Sequence, residues 1–138
     1  MASYGILRGT ALALFAAAAT VKDCAPGLSL FKFEAANLVP VAPLPGEPVN
    51  LHLEYSVPDG VDIMDGTATY AITFNYIPFQ PTVESLCYNI PCPLGPGYYV
   101  NDTKSNWPST MSGSFTSRMT WKDVNDTTLL CLEIKGKV

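Results

Sequence analysis

The 138-residue chain has little charge and only one histidine. Charged side chains make up 14% of it, the formal net charge is −4, and His52 is the single histidine. An acidic chain with no basic stripe has little with which to neutralise phosphates, so nucleic-acid binding is excluded. One histidine also leaves little material for a histidine-rich metal site or a catalytic relay. We therefore expect no cofactor, no metal and no enzymatic activity.

The few residues that could serve in catalysis or metal binding are better explained as ordinary surface residues. His52 falls on the polar side of an alternating segment, and the nearest approach to a G-x-S-x-G nucleophile elbow is GSFTS at residues 113–117. Asp59, Asp62 and Asp65 recur at every third position, but the spacing of an EF-hand is absent. A solvated acidic turn is favoured over a calcium site.

Long apolar runs are missing too. The longest one near the start covers residues 10–20, which is too short to span a bilayer. It follows Arg8 and contains small residues that fit an A-x-A-like cleavage site. The pattern predicts a secretory signal peptide over residues 1–19 and one mature domain over residues 20–138.

Cysteine is scarce but even in number. An export signal implies an oxidising compartment, so the four cysteines predict two disulfides, for which three connectivities are possible. Spacing favours a local bridge between Cys87 and Cys92, which leaves Cys24 and Cys131 to join the ends of the mature chain. Zinc is disfavoured, because the C-x₂₋₄-C spacing is met once and no second pair or histidine lies nearby.

Two N-x-T sequons lie in polar stretches, at Asn101 and Asn125. Each is a predicted glycosylation site in a host that glycosylates. Together with the leader and the predicted disulfides, they favour a protein that is secreted or resides in the endolysosomal or vacuolar lumen.

The mature region alternates between apolar and polar residues. Alternation is strict from Val49 to Val57 and recurs from Thr67 to Ile77, and turn residues between these segments indicate antiparallel neighbours. The remaining predicted strands lie near residues 31–35, 83–88, 98–101, 115–121 and 130–134. About seven strands without a helical segment predict an all-β fold, an antiparallel β-sandwich. Periodicity does not tell whether its large apolar side chains fill the core or line a cavity.

Several short motifs recur together in one known family. They are Asp23-Cys24, Leu86-Cys87, Cys92-Pro93-Leu94 with Gly95-Pro96-Gly97, Pro108, Trp121-Lys122-Asp123, and Leu130-Cys131-Leu132-Glu133-Ile134. With this set the chain resembles the ML lipid-recognition domain over essentially the whole mature region. That family includes the Niemann-Pick type C2 sterol carriers, secreted phosphatidylglycerol/phosphatidylinositol transfer proteins, the ganglioside activator and group 2 mite allergens.

The resemblance implies an immunoglobulin-like sandwich whose sheets enclose one lipid. It also implies that Cys24 pairs with Cys131 and Cys87 with Cys92. One departure concerns residues 39–48, which hold no cysteine, whereas many Niemann-Pick type C2-like members carry a further disulfide there. The missing disulfide weakens a sterol-specific interpretation. With two bridges, the cysteine pattern is closer to that of the phospholipid-transfer members of the family.

These patterns predict a non-enzymatic, monomeric carrier that holds a sterol or phospholipid between two sheets. Its expected partners are the lipid, membranes in transient contact, and an acceptor membrane protein. An immunoglobulin-like adhesion module that binds protein is the alternative. The predicted cavity lining comprises Leu53, Tyr55, Tyr70, Ile72, Phe74, Phe115, Met119, Trp121, Leu130 and Leu132, and family analogy adds Leu94, Tyr98 and Tyr99 at the mouth.

Overall fold

The computed structural model describes residues 18–106, 109 and 112–138. Residues 1–17, which hold nearly all of the predicted signal peptide, lie outside the described residues, as does Pro108 of the family motifs. Within the described part, regular structure consists of nine strands and one 3₁₀ turn, Leu86–Tyr88. The strands are β1 (Thr20–Asp23), β2 (Lys32–Val39), β3 (Pro48–Val57), β4 (Gly66–Phe74), β5 (Ile77–Pro78), β6 (Thr82–Ser85), β7 (Gly97–Asn106), β8 (Ser114–Asp123) and β9 (Thr128–Lys137).

The strands form two antiparallel sheets that pack face to face. The larger sheet has the order β1-β9-β8-β4, and the far edge of β4 pairs with β6 near its start and with β5 at its end. The smaller sheet has the order β2-β3-β7. This arrangement confirms the predicted antiparallel β-sandwich. The expectation that the strands at 49–57 and 67–77 are neighbours is wrong, because β3 lies in the smaller sheet and β4 in the larger one, so the turn residues between them carry the chain from one sheet to the other. The two strands beyond the expected seven are β1 and β5, which have too few residues for a periodic signal.

Two consecutive residues with positive φ end β4. Asn75 and Tyr76 have φ of 49° and 66°, and Phe74 pairs with Ile77 across them. A two-residue turn of this kind matches the twist of a hairpin, and asparagine tolerates the left-handed conformation better than most residues. The alternating stretch 67–77, expected as one strand, is therefore two strands joined by a hairpin. The stretch expected at 83–88 likewise divides into β6 and the 3₁₀ turn.

Both predicted disulfides are present. Cys24 bonds to Cys131 across 107 positions of sequence, and Cys87 bonds to Cys92 across 5. The long bridge fastens the end of β1 to β9, where the Cys24 N–H also donates to the carbonyl of Cys131 at 3.1 Å. The short bridge closes the loop that follows the 3₁₀ turn. The pairing is the one that the resemblance implies.

The sandwich interior is packed tightly at one end. Tyr55 stacks between Phe31 and Tyr99, with ring centroids 5.4 and 5.7 Å away, and meets the edge of Trp121 at 5.3 Å. Offset and edge-on aromatic pairs of this kind stabilise a core beyond their buried area. A second, smaller cluster of buried residues lies toward the other end and includes Phe115. The cavity lies against this second cluster, whose four buried members all line it, and extends to the edge of the first.

Candidate functional site

A cavity of about 290 Å³ lies between the two sheets. The larger sheet contributes residues of β4, β6, β8 and β9 to its wall, and the smaller sheet contributes residues of β2, β3 and β7. Its apolar lining is Leu38, Val49, Leu51, Phe115, Met119 and Ile134, and its polar lining is Tyr70, Glu84, Asn89, Thr103, Ser105 and Ser117. The two sets are equal in number, but apolar atoms form most of the surface that lines the cavity, which is typical of a small-molecule site.

A small residue on β8 helps to create this space. Phe115, Ser117, Met119 and Trp121 alternate toward the interior, because successive side chains of a strand point to opposite faces. Phe115, Met119 and Trp121 are buried, whereas Ser117 presents only a hydroxymethyl group between two larger neighbours. The cavity thus lies where the inward row of β8 lacks a large side chain.

Hydrogen bonds join the two sheets along one side of the cavity. Tyr70 on β4 donates to Oδ1 of Asn89 at 2.6 Å, and Nδ2 of Asn89 donates to Oε1 of Glu84 at 3.0 Å. Nδ2 of Asn101, on β7 of the other sheet, donates to the carbonyl of Asn89, and Thr103 donates to Oδ1 of Asn101 at 3.0 Å. Four of the six polar lining residues are therefore connected in one network, which reaches the edge strand β7 through Asn101.

The surroundings of Tyr70 raise the pKa of its hydroxyl above the ordinary value for tyrosine. Burial raises the pKa of the Tyr70 hydroxyl, and the negative charge of Glu84 raises it further. The nearby indole N–H of Trp121 lowers the pKa of Tyr70. This N–H is buried and makes no hydrogen bond of good geometry with any described residue. Tyr70 consequently remains a hydrogen-bond donor to Asn89 at physiological pH.

The structure places the predicted lipid contacts in several environments. Tyr70, Phe115 and Met119 line the cavity. Ile72 and Phe74 are half-buried further along β4, and Phe74 packs against the smaller cluster. Six others belong to the packed core: Leu53, Tyr55, Leu94, Trp121, Leu130 and Leu132. Tyr99 packs against that core half-buried and Tyr98 is exposed, both near the end of β7 that lies away from the cavity.

Several lining residues were not in the predicted set. Val49 and Leu51 share the inward face of β3 with Leu53, so the alternation that identified Leu53 also contained them. Leu38 was missed because β2 extends to Val39, beyond the predicted stretch 31–35. The polar lining residues have no periodic signal, since they meet only through pairing of distant strands.

The single histidine lies outside the cavity. His52 is on the outer face of β3, where its Nδ1 is 2.9 Å from Asp102 Oδ1 and its Nε2 is 2.8 Å from Glu54 Oε2. The hydrogen bond with Asp102, followed by that with Glu54, raises the pKa of His52. These contacts describe a surface cluster between neighbouring strands rather than a group aimed at a bound molecule.

The remaining candidates are also on the surface. Asp59, Asp62 and Asp65 are exposed, and the described residues contain no group of three or more His, Cys, Asp or Glu that could hold a metal. Asn125 is exposed in the turn between β8 and β9, whereas the Asn101 amide is engaged with Asn89. Across the described chain no helix has the length and apolarity needed to cross a membrane.

Comparison with solved structures gives two similar folds. A Niemann-Pick type C2 protein from the Japanese carpenter ant superposes with a TM-score of 0.65 at 13% identity, over 86% of this chain and 98% of that one. Chicken MD-1, solved in complex with lipid IVa, gives a TM-score of 0.59 at 13% identity, over 86% of this chain and 88% of that one. At such identity the likeness shows the shared β-sandwich alone. No curated protein sequence matches the chain.

The family model of the ML domain matches residues 18–138. Because this match covers most of the chain, the chain belongs to the ML-domain family, as its cysteine frame and motifs predicted. Membership places it among the lipid-binding proteins. The two disulfides fit an extracellular or lumenal setting.

Proposed function

We propose that the protein is a secreted or lumenal carrier, monomeric in solution, that takes the apolar part of a sterol or phospholipid into the cavity between its sheets. The observation that carries the proposal is a largely apolar interior space, walled by both sheets, in a chain of the ML-domain family. Binding without chemical change is supported by the position of His52, which lies on the outer face of β3. An acceptor membrane protein is the expected recipient of the lipid.

The volume of the cavity determines how much lipid it encloses. At about 30 Å³ per methylene-sized group, which is the share of one water molecule in the liquid, 290 Å³ holds about ten such groups. The cavity in this form therefore takes one acyl chain or the tail of a sterol, and the rest of the lipid lies toward the mouth. Each enclosed methylene contributes about 0.8 kcal/mol of transfer free energy, against which the cost of association must be set.

Exposed apolar side chains at the cavity end of the sandwich support transient contact with a membrane. Tyr76 at the β4–β5 turn is 91% exposed, and Ile77 and Phe79 follow it with 62% and 47%. Val41 and Leu44, in the proline-rich connection between β2 and β3, are also more than half exposed. A group of exposed apolar residues on one end of a small protein marks an interaction surface. Its position near the cavity suits lipid exchange.

The test of lipid binding uses a variant that fills the cavity. Ser117→Phe adds a ring to the inward row of β8, and Thr116→Phe adds the same ring to the outer face of the same strand. We expect the native chain to yield lipid on organic extraction and, once delipidated, to bind a fluorescent sterol or phospholipid one-to-one. Ser117→Phe should weaken that binding by more than about tenfold, and Thr116→Phe should leave it unchanged.

Two results would count against the carrier. A folded, delipidated native chain that binds neither class of lipid would favour the alternative of a protein-interaction module. Equal binding by Ser117→Phe and the native chain would remove the cavity as the site. Membrane contact is measured separately by flotation with phospholipid vesicles, where Ile77→Asp should reduce association while one-to-one lipid binding persists. Unaltered flotation would exclude the hairpin as the contact.

A further inference from the structure

The charge on the cavity wall is negative. Among the described residues that line it, Glu84 is the only charged one, and no lysine or arginine of the described chain joins it there. The nearest lysine along the wall strand β7 is Lys104, which alternates with the lining residues Thr103 and Ser105 and so belongs to the outer face. A ligand group that binds beside Glu84 therefore lies next to a carboxylate. If that group is an anion, no lysine or arginine of the described residues is there to balance its charge.

Glu84 is also the residue of the network that has unused hydrogen-bond acceptors. Asn89 uses both side-chain groups, because its Oδ1 accepts from Tyr70 and its Nδ2 donates to Glu84 and to the carbonyl of Ser85. Glu84 accepts only the one hydrogen bond, from Asn89, among the described residues. A carboxylate has about four acceptor positions, so Glu84 retains free acceptors on the cavity wall.

The negative charge of Glu84 acts on groups inside the cavity. It adds to burial in raising the pKa of Tyr70, which is itself a lining residue. Glu84 is half-buried, on the short edge strand β6. Charges in a partly desolvated site interact more strongly than charges in water.

We propose that Glu84 makes the cavity selective for uncharged lipids that carry a hydroxyl group, and against lipids with an anionic group at the same position. The hydroxyl donates to a free acceptor of the Glu84 carboxylate, and the hydrocarbon lies against Leu38, Leu51 and Phe115. An anion in that position repels Glu84 and loses its own hydration without gaining a cation. This inference rests on the proposed function, since it specifies which lipids the cavity accepts.

A matched set of single-chain ligands tests the selectivity. Decanol, decanoate and decyltrimethylammonium share a chain of about the length that the cavity encloses and differ in the charge of the end group. Each is titrated near neutral pH against a fluorescent lipid bound to the delipidated full chain. We expect decanol to bind at least about tenfold tighter than decanoate. Glu84→Gln should raise the affinity for decanoate and reduce the ratio to below about threefold.

The control is Glu34→Gln, which removes the same charge from an exposed position on β2 where Glu34 bonds to Ser56. It should keep the native ratio, and circular dichroism should show that both variants fold. Equal native affinities for decanol and decanoate would overturn the inference, as would a native ratio that persists in Glu84→Gln. Tighter binding of the cation than of decanol by more than about tenfold would replace the uncharged class with a cationic one. A native chain that binds none of these ligands and no fluorescent lipid would instead refute the carrier function itself.

Discussion

Affinity should rise with chain length only until the cavity is full. In a series of straight-chain alcohols from about six to about sixteen carbons, each methylene that enters the cavity contributes about 0.8 kcal/mol, which is about fourfold in Kd. The 290 Å³ of the cavity holds about ten methylene-sized groups. We therefore expect the plot of log Kd against chain length to bend at about ten carbons, because further methylenes remain in water.

Substitution of Ser117 moves this break in a predictable direction. A phenylalanine side chain is about five heavy atoms larger than serine, so Ser117→Phe should shift the break to about five carbons fewer. Thr116→Phe places the same atoms on the outer face of β8 and should leave the break where it is. The affinities are measured by displacement of a fluorescent fatty probe and, for the tighter ligands, by isothermal titration calorimetry.

Three results would refute the reasoning behind this prediction. A Kd that does not change along the series would mean that the chain does not enter an apolar space. A continued rise through the longest alcohol would mean an open groove rather than a cavity of limited volume. The same break in the native chain and in Ser117→Phe would mean that the ligand lies elsewhere.

The remaining predictions concern stability and the surface cluster. Replacing Cys24 and Cys131 by alanine should lower the free energy of unfolding by about 5 kcal/mol in urea titrations, against about 2 kcal/mol for the short bridge, because loops of 107 and 5 positions differ in closure entropy; equal losses would contradict that entropic reasoning. Asp102→Asn should lower the pKa of His52, read from the one imidazole titration in the NMR spectrum, because the Asp102 hydrogen bond is the largest cause of the raised value. In the native chain the stabilisation from protonated His52 is complete below the ordinary pKa of 6.5 and disappears as pH rises through the higher folded value, so a native pKa at or below 6.5 would exclude the cluster. Leu130→Ala should cost about 2–5 kcal/mol of stability, because Leu130 is fully buried in the packed core, while the folded variant keeps native lipid affinity; weakened binding would mean that the core contributes to the site.

Most strands were predictable because one face of each is buried, but their partners were not, since β3 and β4 follow each other in sequence and lie in different sheets. Along β3 the inward side chains are apolar and the outward ones polar, so a period of two identifies both the strand and its buried face. The disulfide pairing and the immunoglobulin-like arrangement came from the family motifs, since four cysteines alone leave three connectivities open. The hairpin inside residues 67–77 was hidden because Asn75 and Tyr76 continue the alternation while their backbone reverses the chain.

The position of the cavity was not predictable by the same means. Phe115 and Trp121 lie on the same face of β8, yet Phe115 borders the cavity and Trp121 is in the filled core. Periodicity assigns both to the interior but does not say which interior volume is occupied, because that depends on side chains from other strands. Ser117 is informative only once Leu51 and Ile134 are known to lie near it. The polar network around Asn89 likewise exists only after β4, β6 and β7 come together.

The central claim is that one lipid lies between the sheets, and the methionine methyl groups test it directly. Met119 lines the cavity and is 7% exposed, whereas Met64 lies in the turn before β4 and is 65% exposed. With ¹³C-methyl labelling, titration of the delipidated chain with decanol should shift the Met119 resonance, saturate at one equivalent, and leave Met64 unchanged. A shift at Met64 without one at Met119, or changes that do not saturate at one lipid per chain, would contradict the account.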